Sequence, residues 1–172
     1  MRRFALLALA AGTVFAGNAF AASSPITGNF QVRANVPGSC VVVSSAGINF
    51  GNYDPVDVNN AAGTDATASG SLVIRCTKGT NYRVALNEGT HASAVGCTAP
   101  ARRMANAAGT EFITYVINAS DNNAWGCGTA DRAGVATSST SDITLTTSGI
   151  AAKAQDVNTG LYTDIVTYTV SF

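Results

Sequence analysis

The sequence predicts an all-β protein, an antiparallel sandwich, and three observations carry that prediction. Good helix formers are scarce beyond residue 21, with Leu only at 72, 86, 145 and 161, Glu at 88 and 111, and Lys at 78 and 153. Thr, Val, Ser, Asn, Gly and Ala fill the space, which favours strands and turns and leaves almost no helix. Apolar runs are short and divided by Gly, Asn, Asp and Ser clusters, the spacing of a sandwich. Near both ends, apolar and polar residues alternate with the strand period of two.

The chain begins with a leader. Met1, Arg2 and Arg3 give a positive start, FALLALAAGTVFAG is apolar but short for a membrane span, and Ala19-Phe20-Ala21 is a small-x-small cleavage site. Residues 1–21 therefore read as a Sec-type signal peptide, with the mature chain starting at Ala22. Removing it takes two of the ten basic residues and none of the ten acidic ones, leaving a weakly acidic chain of 151 residues. That size suits one domain with a real core, and the charge gives no electrostatic claim on nucleic acid.

The first expected strand, 26–36, follows at once. Ile26, Gly28, Phe30, Val32, Ala34 and Val36 fall on one face, so something must bury that face, and another copy of the chain is the expected partner. Further strands are expected at 41–50, 70–76, 81–87, 111–118, 142–147 and 161–172, with loops at 54–68 and 120–139. In the last strand Tyr162, Val166, Tyr168, Val170 and Phe172 share a face, Thr163, Thr167, Thr169 and Ser171 share the other, and Asp164 interrupts the apolar series. A pattern that runs out on an aromatic residue implies a terminus tied into a sheet.

Cys40, Cys76, Cys97 and Cys127 lie in an exported chain, where disulfides are the default. Four thiols allow three pairings. Cys40 with Cys76 and Cys97 with Cys127 is the favoured one, because each bridge then staples neighbouring strands or loops, for about 3 to 4 kcal/mol apiece in chain-entropy models. The second bridge would restrain the long 120–139 loop. No Cys-x-x-Cys spacing exists and the one histidine, His91, has no obvious partners, so no metal site and no cofactor are expected. No G-x-S-x-G elbow or oriented His supports hydrolysis, so no catalytic residues are assigned and the chain is not read as an enzyme. Tyr53, Tyr82, Tyr115, Trp125 and Tyr168 read as core or strand-pair aromatics, Asp54 and Asp57 as turn residues around Pro55, and Arg102-Arg103 as a solvated turn.

Several ordered motifs make the chain recognisable: Phe50-Gly51-Asn52-Tyr53-Asp54, Cys76-Thr77-Lys78-Gly79-Thr80-Asn81-Tyr82, Arg103-Met104 ahead of a strand holding Tyr115, Trp125-Gly126, and Gly160-Leu161-Tyr162-Thr163-Asp164. Together they resemble the spore coat protein U family, which includes the Csu-type pilins of archaic chaperone-usher pili. The Cys97 and Cys127 pair departs from many relatives. The resemblance implies an incomplete immunoglobulin-like sandwich whose missing strand is supplied by the N-terminal donor strand of a neighbouring subunit. It also implies a pilus subunit exported through the periplasm to the cell surface, with a periplasmic chaperone, an outer-membrane usher and identical or related pilin subunits as partners, serving attachment and biofilm formation. On that reading 22–37 is the donor-strand segment, with Ile26, Gly28, Phe30, Val32 and Ala34 as donor residues and its end from Ala34 to Val36 open to either the donor or the domain's own first strand; 38–172 is the pilin domain, and Tyr162, Val166, Tyr168, Val170 and Phe172 form the acceptor-groove edge. The alternative is a secreted, monomeric carbohydrate-binding or coat-type sandwich that does not polymerise.

Overall fold

The computed structural model describes residues 24–172, so the expected signal peptide lies outside the described residues. The chain divides into two units at Asn35 and Val36. In the first, Ser24–Asn35 forms no ladder and its apolar side chains stand in solvent, Ile26 fully and Phe30 and Val32 at more than four-fifths. The strand expected at 26–36 is thus not formed: alternation prepares a segment to pair, but a β-ladder needs a second edge to exchange hydrogen bonds with.

The second unit holds eight strands in two sheets: β1 (Cys40–Ala46), β2 (Ala66–Cys76), β3 (Asn81–Leu86), β4 (Arg103–Ala105), β5 (Phe112–Ala119), β6 (Arg132–Val135), β7 (Ile143–Ala151) and β8 (Tyr168–Ser171). A five-stranded sheet runs in the order β1-β2-β7-β5-β4, and a three-stranded sheet in the order β6-β3-β8. All pairings are antiparallel. The one helical element among the described residues is a single 3-10 turn, Gly128–Ala130.

Alternation decides which side chains meet between the sheets. From β2, Leu72, Ile74 and Cys76 point inward; from β5, Ile113, Tyr115, Ile117 and Ala119; from β3, Val84 and Leu86. Their β2 and β5 neighbours Thr67, Ser69, Thr114 and Val116 face out. Trp125 is the largest buried side chain, 1% exposed, and its indole Nε1–H donates to the Val84 carbonyl at 2.8 Å, satisfying its polar atom inside the core. Cys40 and Cys76 face each other in the β1–β2 register and are bonded, and a second disulfide joins Cys97 to Cys127.

Strand ends shift from the sequence reading, with β1 stopping at Ala46 instead of 50, β2 starting at Ala66 instead of 70 and β7 running to Ala151 instead of 147, and three differences go further. The long 120–139 loop contains β6, which pairs with β3 through Asn81 to Val84. The three-residue β4 carries too few residues to show a period, and was not expected. The final strand is shorter than 161–172: Thr163 forms one isolated bridge to Ala105, and continuous pairing begins only at Tyr168. That stretch leaves the edge of one sheet and joins the other, so its partner changes along its length.

Candidate functional site

The two walls of the site come from segments at opposite ends of the second unit. One wall is Ser45–Phe50, which continues β1 but turns inward across the five-stranded sheet. Ile48 and Phe50 lie over that sheet, and two glycines make room: a Cβ on Gly149 would stand 2.6 Å from Ile48 Cγ2, and one on Gly70 2.7 Å from the Ala46 carbonyl oxygen. Phe50 meets Tyr115 edge to face at 6.1 Å between ring centres. Tyr53 anchors the far end, donating its hydroxyl to the Ala152 carbonyl at 2.7 Å, and Asp54 caps the next turn by accepting from the Val56 and Asp57 amides. The Phe50–Asp54 motif thus marks where the chain crosses the sheet face.

The other wall is Leu161–Tyr168. Thr163 exchanges both backbone hydrogen bonds with Ala105, each 2.9 Å, and the Thr167 carbonyl accepts from the Asn87 amide at 2.9 Å. Strand alternation turns the N–H and C=O of residues 164 and 166 to the opposite side, toward the cleft. Inside lie Leu72, Leu86, Met104, Tyr115, Ile117 and Trp125, giving a mainly apolar cleft of about 620 Å³.

One polar group interrupts this lining. Asp164, on the inward face with Tyr162 and Val166, has a side chain only 2% exposed. Its Oδ2 accepts from the Tyr115 hydroxyl at 2.6 Å, and its Oδ1 from the Thr90 amide and hydroxyl, each 2.8 Å, and from the Ile165 amide at 2.9 Å. Burial opposes ionisation, but these donors outweigh it and hold the Asp164 carboxyl below its ordinary value. Burial, then the bond to Asp164, push the Tyr115 hydroxyl far above its usual range, so it remains a donor. Nearby, the Arg102 guanidinium donates to the carbonyls of Asn87 and Trp125 at 2.6 to 3.0 Å. Arg102 is 2% exposed, which corrects the expectation of a solvated turn: three bonds to backbone carbonyls compensate its burial, and desolvation lowers its pKa. Arg103 is partly covered too, lying over the Phe112 ring at 3.9 Å.

Of the expected groove residues, Tyr162, Val166 and Tyr168 line this cleft. Val170 packs on the core opposite Val84, while Phe172, 62% exposed, lies beside Tyr82 and Val135 in a separate shallow depression. The residues expected as donors, Ile26, Gly28, Phe30, Val32 and Ala34, all fall in the exposed first unit. Sequence reasoning missed the Ser45–Phe50 wall, Thr90 and the burial of Arg102, and it read Tyr115 correctly as a core aromatic but not as the partner of Asp164. The signal for Asp164 was present as the one polar residue on the apolar face of the last strand. No cluster of three metal-ligating side chains occurs among the described residues. An apolar slot walled by backbone that is unpaired among the described residues has the chemistry to accept an extended apolar peptide.

Comparison with known proteins fits this architecture. The Spore Coat Protein U domain model matches residues 26–169. Protein U of Myxococcus xanthus is 34% identical over 158 residues, which cover 88% of this chain and 88% of that protein. Among solved structures, a chain in the CsuC-CsuE chaperone-tip adhesion subunit pre-assembly complex from the archaic chaperone-usher Csu pili of Acinetobacter baumannii shares the fold. Its TM-score is 0.52 at 23% identity, covering 80% of this chain but 40% of that one, so the present chain spans less than half its length. With a family model running from the exposed N-terminal segment into β8, and a relative alike over nearly its whole length, this chain belongs to the Spore Coat Protein U domain family.

Proposed function

We propose that the chain is a structural subunit of a chaperone-usher pilus, secreted through the periplasm to the cell surface and assembled by donor-strand complementation. Ile26, Gly28, Phe30, Val32 and Ala34 of one copy enter the cleft of the next, and their backbone pairs with the free edge beside Asp164 and Val166. The carrying observation is the cleft itself: about 620 Å³, mainly apolar, and walled by strand backbone whose outward groups have no ladder partner among the described residues. The exposed apolar face at 26–34 supplies the complementary shape.

The energetics favour a durable joint. Burying Ile26, Phe30 and Val32 at about 1.5 to 3 kcal/mol each gives on the order of 5 to 9 kcal/mol gross, and ordering the strand subtracts part of it. Each copy offers a donor at one site and a cleft at another, so the contact is heterologous and propagates as a filament. A periplasmic chaperone that fills the cleft before assembly, an outer-membrane usher, and identical or related pilin subunits are the partners on this reading, with surface attachment and biofilm formation as the outcome. The shape of the cleft and family membership support the reading.

The test is a detergent gel run without heating. The full chain should give a ladder of non-covalent multimers that collapses to monomer on boiling, and deletion of residues 22–32 should remove the ladder while leaving a chaperone-bound subunit. Elongation by the deleted chain would sink the donor assignment.

A further inference from the structure

Between Asp164 and Thr167 the second wall of the cleft passes from one sheet to the other: Thr163 is bonded to Ala105 at the end of β4, and Tyr168 pairs with Leu86 of β3. A strand at such a crossing lacks the continuous ladder that fixes its orientation, so its inner edge is free to roll out of the cleft. Regular pairing would have Asn87, the residue after β3, exchange two backbone bonds with Thr167. Half of that exchange is made, the Asn87 amide donating to the Thr167 carbonyl at 2.9 Å. The other half is not, because the Asn87 carbonyl is turned to the buried Arg102 guanidinium, from which it accepts at 2.6 and 3.0 Å.

The Asn87 side chain supplies the missing acceptor. Its Oδ1 accepts from the Thr167 amide at 2.8 Å and from the Gly89 amide at 3.1 Å, so one carboxamide both ends the β3–β8 ladder and starts the turn that follows. Gly89, at φ 84°, takes the left-handed conformation that brings the chain back toward the wall. Thr90 then places its amide and its hydroxyl on Asp164 Oδ1, each at 2.8 Å, and the same oxygen accepts from the Ile165 amide at 2.9 Å. The amides of residues 163, 165 and 167, which share the outer side of the wall, thus all have acceptors, and two of those acceptors are side-chain oxygens. The backbone groups of 164 and 166 are left on the cleft side.

Resting on the donor reading above, we propose that Asn87 and Thr90 form a bracket that grips the wall at Thr167 and Asp164 and so holds its free edge inside the cleft. They are positioning residues for strand uptake: a wall already held in place need not be ordered when the donor adds, and capture is stronger for it.

The test uses the full chain carrying Asn87→Ala or Asn87→Asp, with Gln155→Ala for comparison. Gln155 is a second carboxamide that completes a ladder, accepting from the Thr114 amide at 2.6 Å and donating to the Thr114 carbonyl at 3.1 Å, but it does so on β5 and not on the wall. Asn87→Ala should cut the multimer ladder of the unheated gel about tenfold, the scale of one lost hydrogen bond, while Asn87→Asp, which keeps the acceptor oxygen, should stay within about threefold of the wild type. Gln155→Ala should lower the urea midpoint read from Trp125 fluorescence, as Asn87→Ala does, yet leave the ladder unchanged. A full ladder from Asn87→Ala, no rescue by Asn87→Asp, or a ladder that weakens in Gln155→Ala as far as in Asn87→Ala overturns the proposal. Should Asn87→Ala not fold, Thr90→Ala carries the test by removing one of the two Thr90 bonds to Asp164: a reduced ladder supports the proposal and an unchanged one overturns it. A ladder that survives deletion of residues 22–32 would overturn the donor reading and this inference with it, whereas a ladder lost on that deletion but indifferent to Asn87→Ala would overturn this inference alone.

Discussion

Residues 26–34 and residues 162–170 carry the same alternation of apolar and polar side chains, yet they end in opposite states. The second stretch has an edge to bind: Thr163 pairs with Ala105, β8 pairs with β3, and Tyr162, Val166 and Val170 pack against the core. The first forms no ladder and leaves Phe30 87% exposed. Alternation therefore specifies which side chains will be buried once a strand has a partner edge, and the edge decides whether burial happens within the chain. The later stretch also differs in having one free side among the described residues, the edge that the proposed donor would take.

Placing a carboxylate in each stretch should break the comparison most sharply. Phe30→Asp leaves the second unit intact but puts an unpaired charge in the apolar cleft of a neighbour, at a cost of several kcal/mol. Multimers should fall by about 100-fold or more, while the urea midpoint of the chaperone-free monomer, followed by the fluorescence of the single Trp125, stays put. Val166→Asp should lower both, because Val166 already packs on its own core. Equal loss of monomer stability in the two variants would mean that 26–34 is buried within its own subunit.

A milder change sharpens the contrast by loosening the wall without touching its apolar face. Tyr115→Phe removes the 2.6 Å bond to Asp164 and nothing else from the cleft lining. A hydrogen bond to a charged group contributes about 1.5 to 3 kcal/mol, so the unfolding free energy from the same fluorescence titration should drop by roughly that amount, with a lower midpoint. An unchanged midpoint would show that Thr90, the Ile165 amide and His91, whose Nδ1 lies 3.4 Å from Asp164 Oδ1, hold the carboxylate without Tyr115.

What could be read from the sequence tracks how local the signal was. Strands β2, β3, β5 and β7 were legible because inward residues such as Leu72, Ile74, Val84, Ile113 and Ile117 recur at the strand period. β6 was hidden because Arg132-Ala-Gly-Val offers one large apolar side chain in four residues, and only β3 across the sheet makes it a strand. The buried Arg102 was misjudged for a similar reason: its acceptors are carbonyls at Asn87 and Trp125, distant in sequence. For the cleft, one wall announced itself through Tyr162, Val166 and Tyr168. The other depends on Gly70 and Gly149 admitting Ile48 and Phe50, a close approach that no periodicity encodes. The role of Asp164 required Tyr115, 49 residues earlier, to be brought beside it.

The smallest expected effect comes from pH, and it separates the two stretches because 26–34 carries no carboxylate. Asp164 is held below its ordinary value in the folded chain, whereas in the unfolded chain it keeps the ordinary aspartate value of about 4. Its contribution is thus complete above that unfolded value and is lost as pH falls through the lower, folded value, where the unfolded state binds the proton first. Asp164→Asn keeps the shape but cannot titrate, so its midpoint should lie below that of the wild type at neutral pH. The gap between them should narrow only once the pH drops below about 4. A gap that widens on acidification would mean that Asp164 folds in its protonated form, and the wall at 161–168 would then be held by a neutral hydrogen bond to Tyr115 instead of by a buried charge.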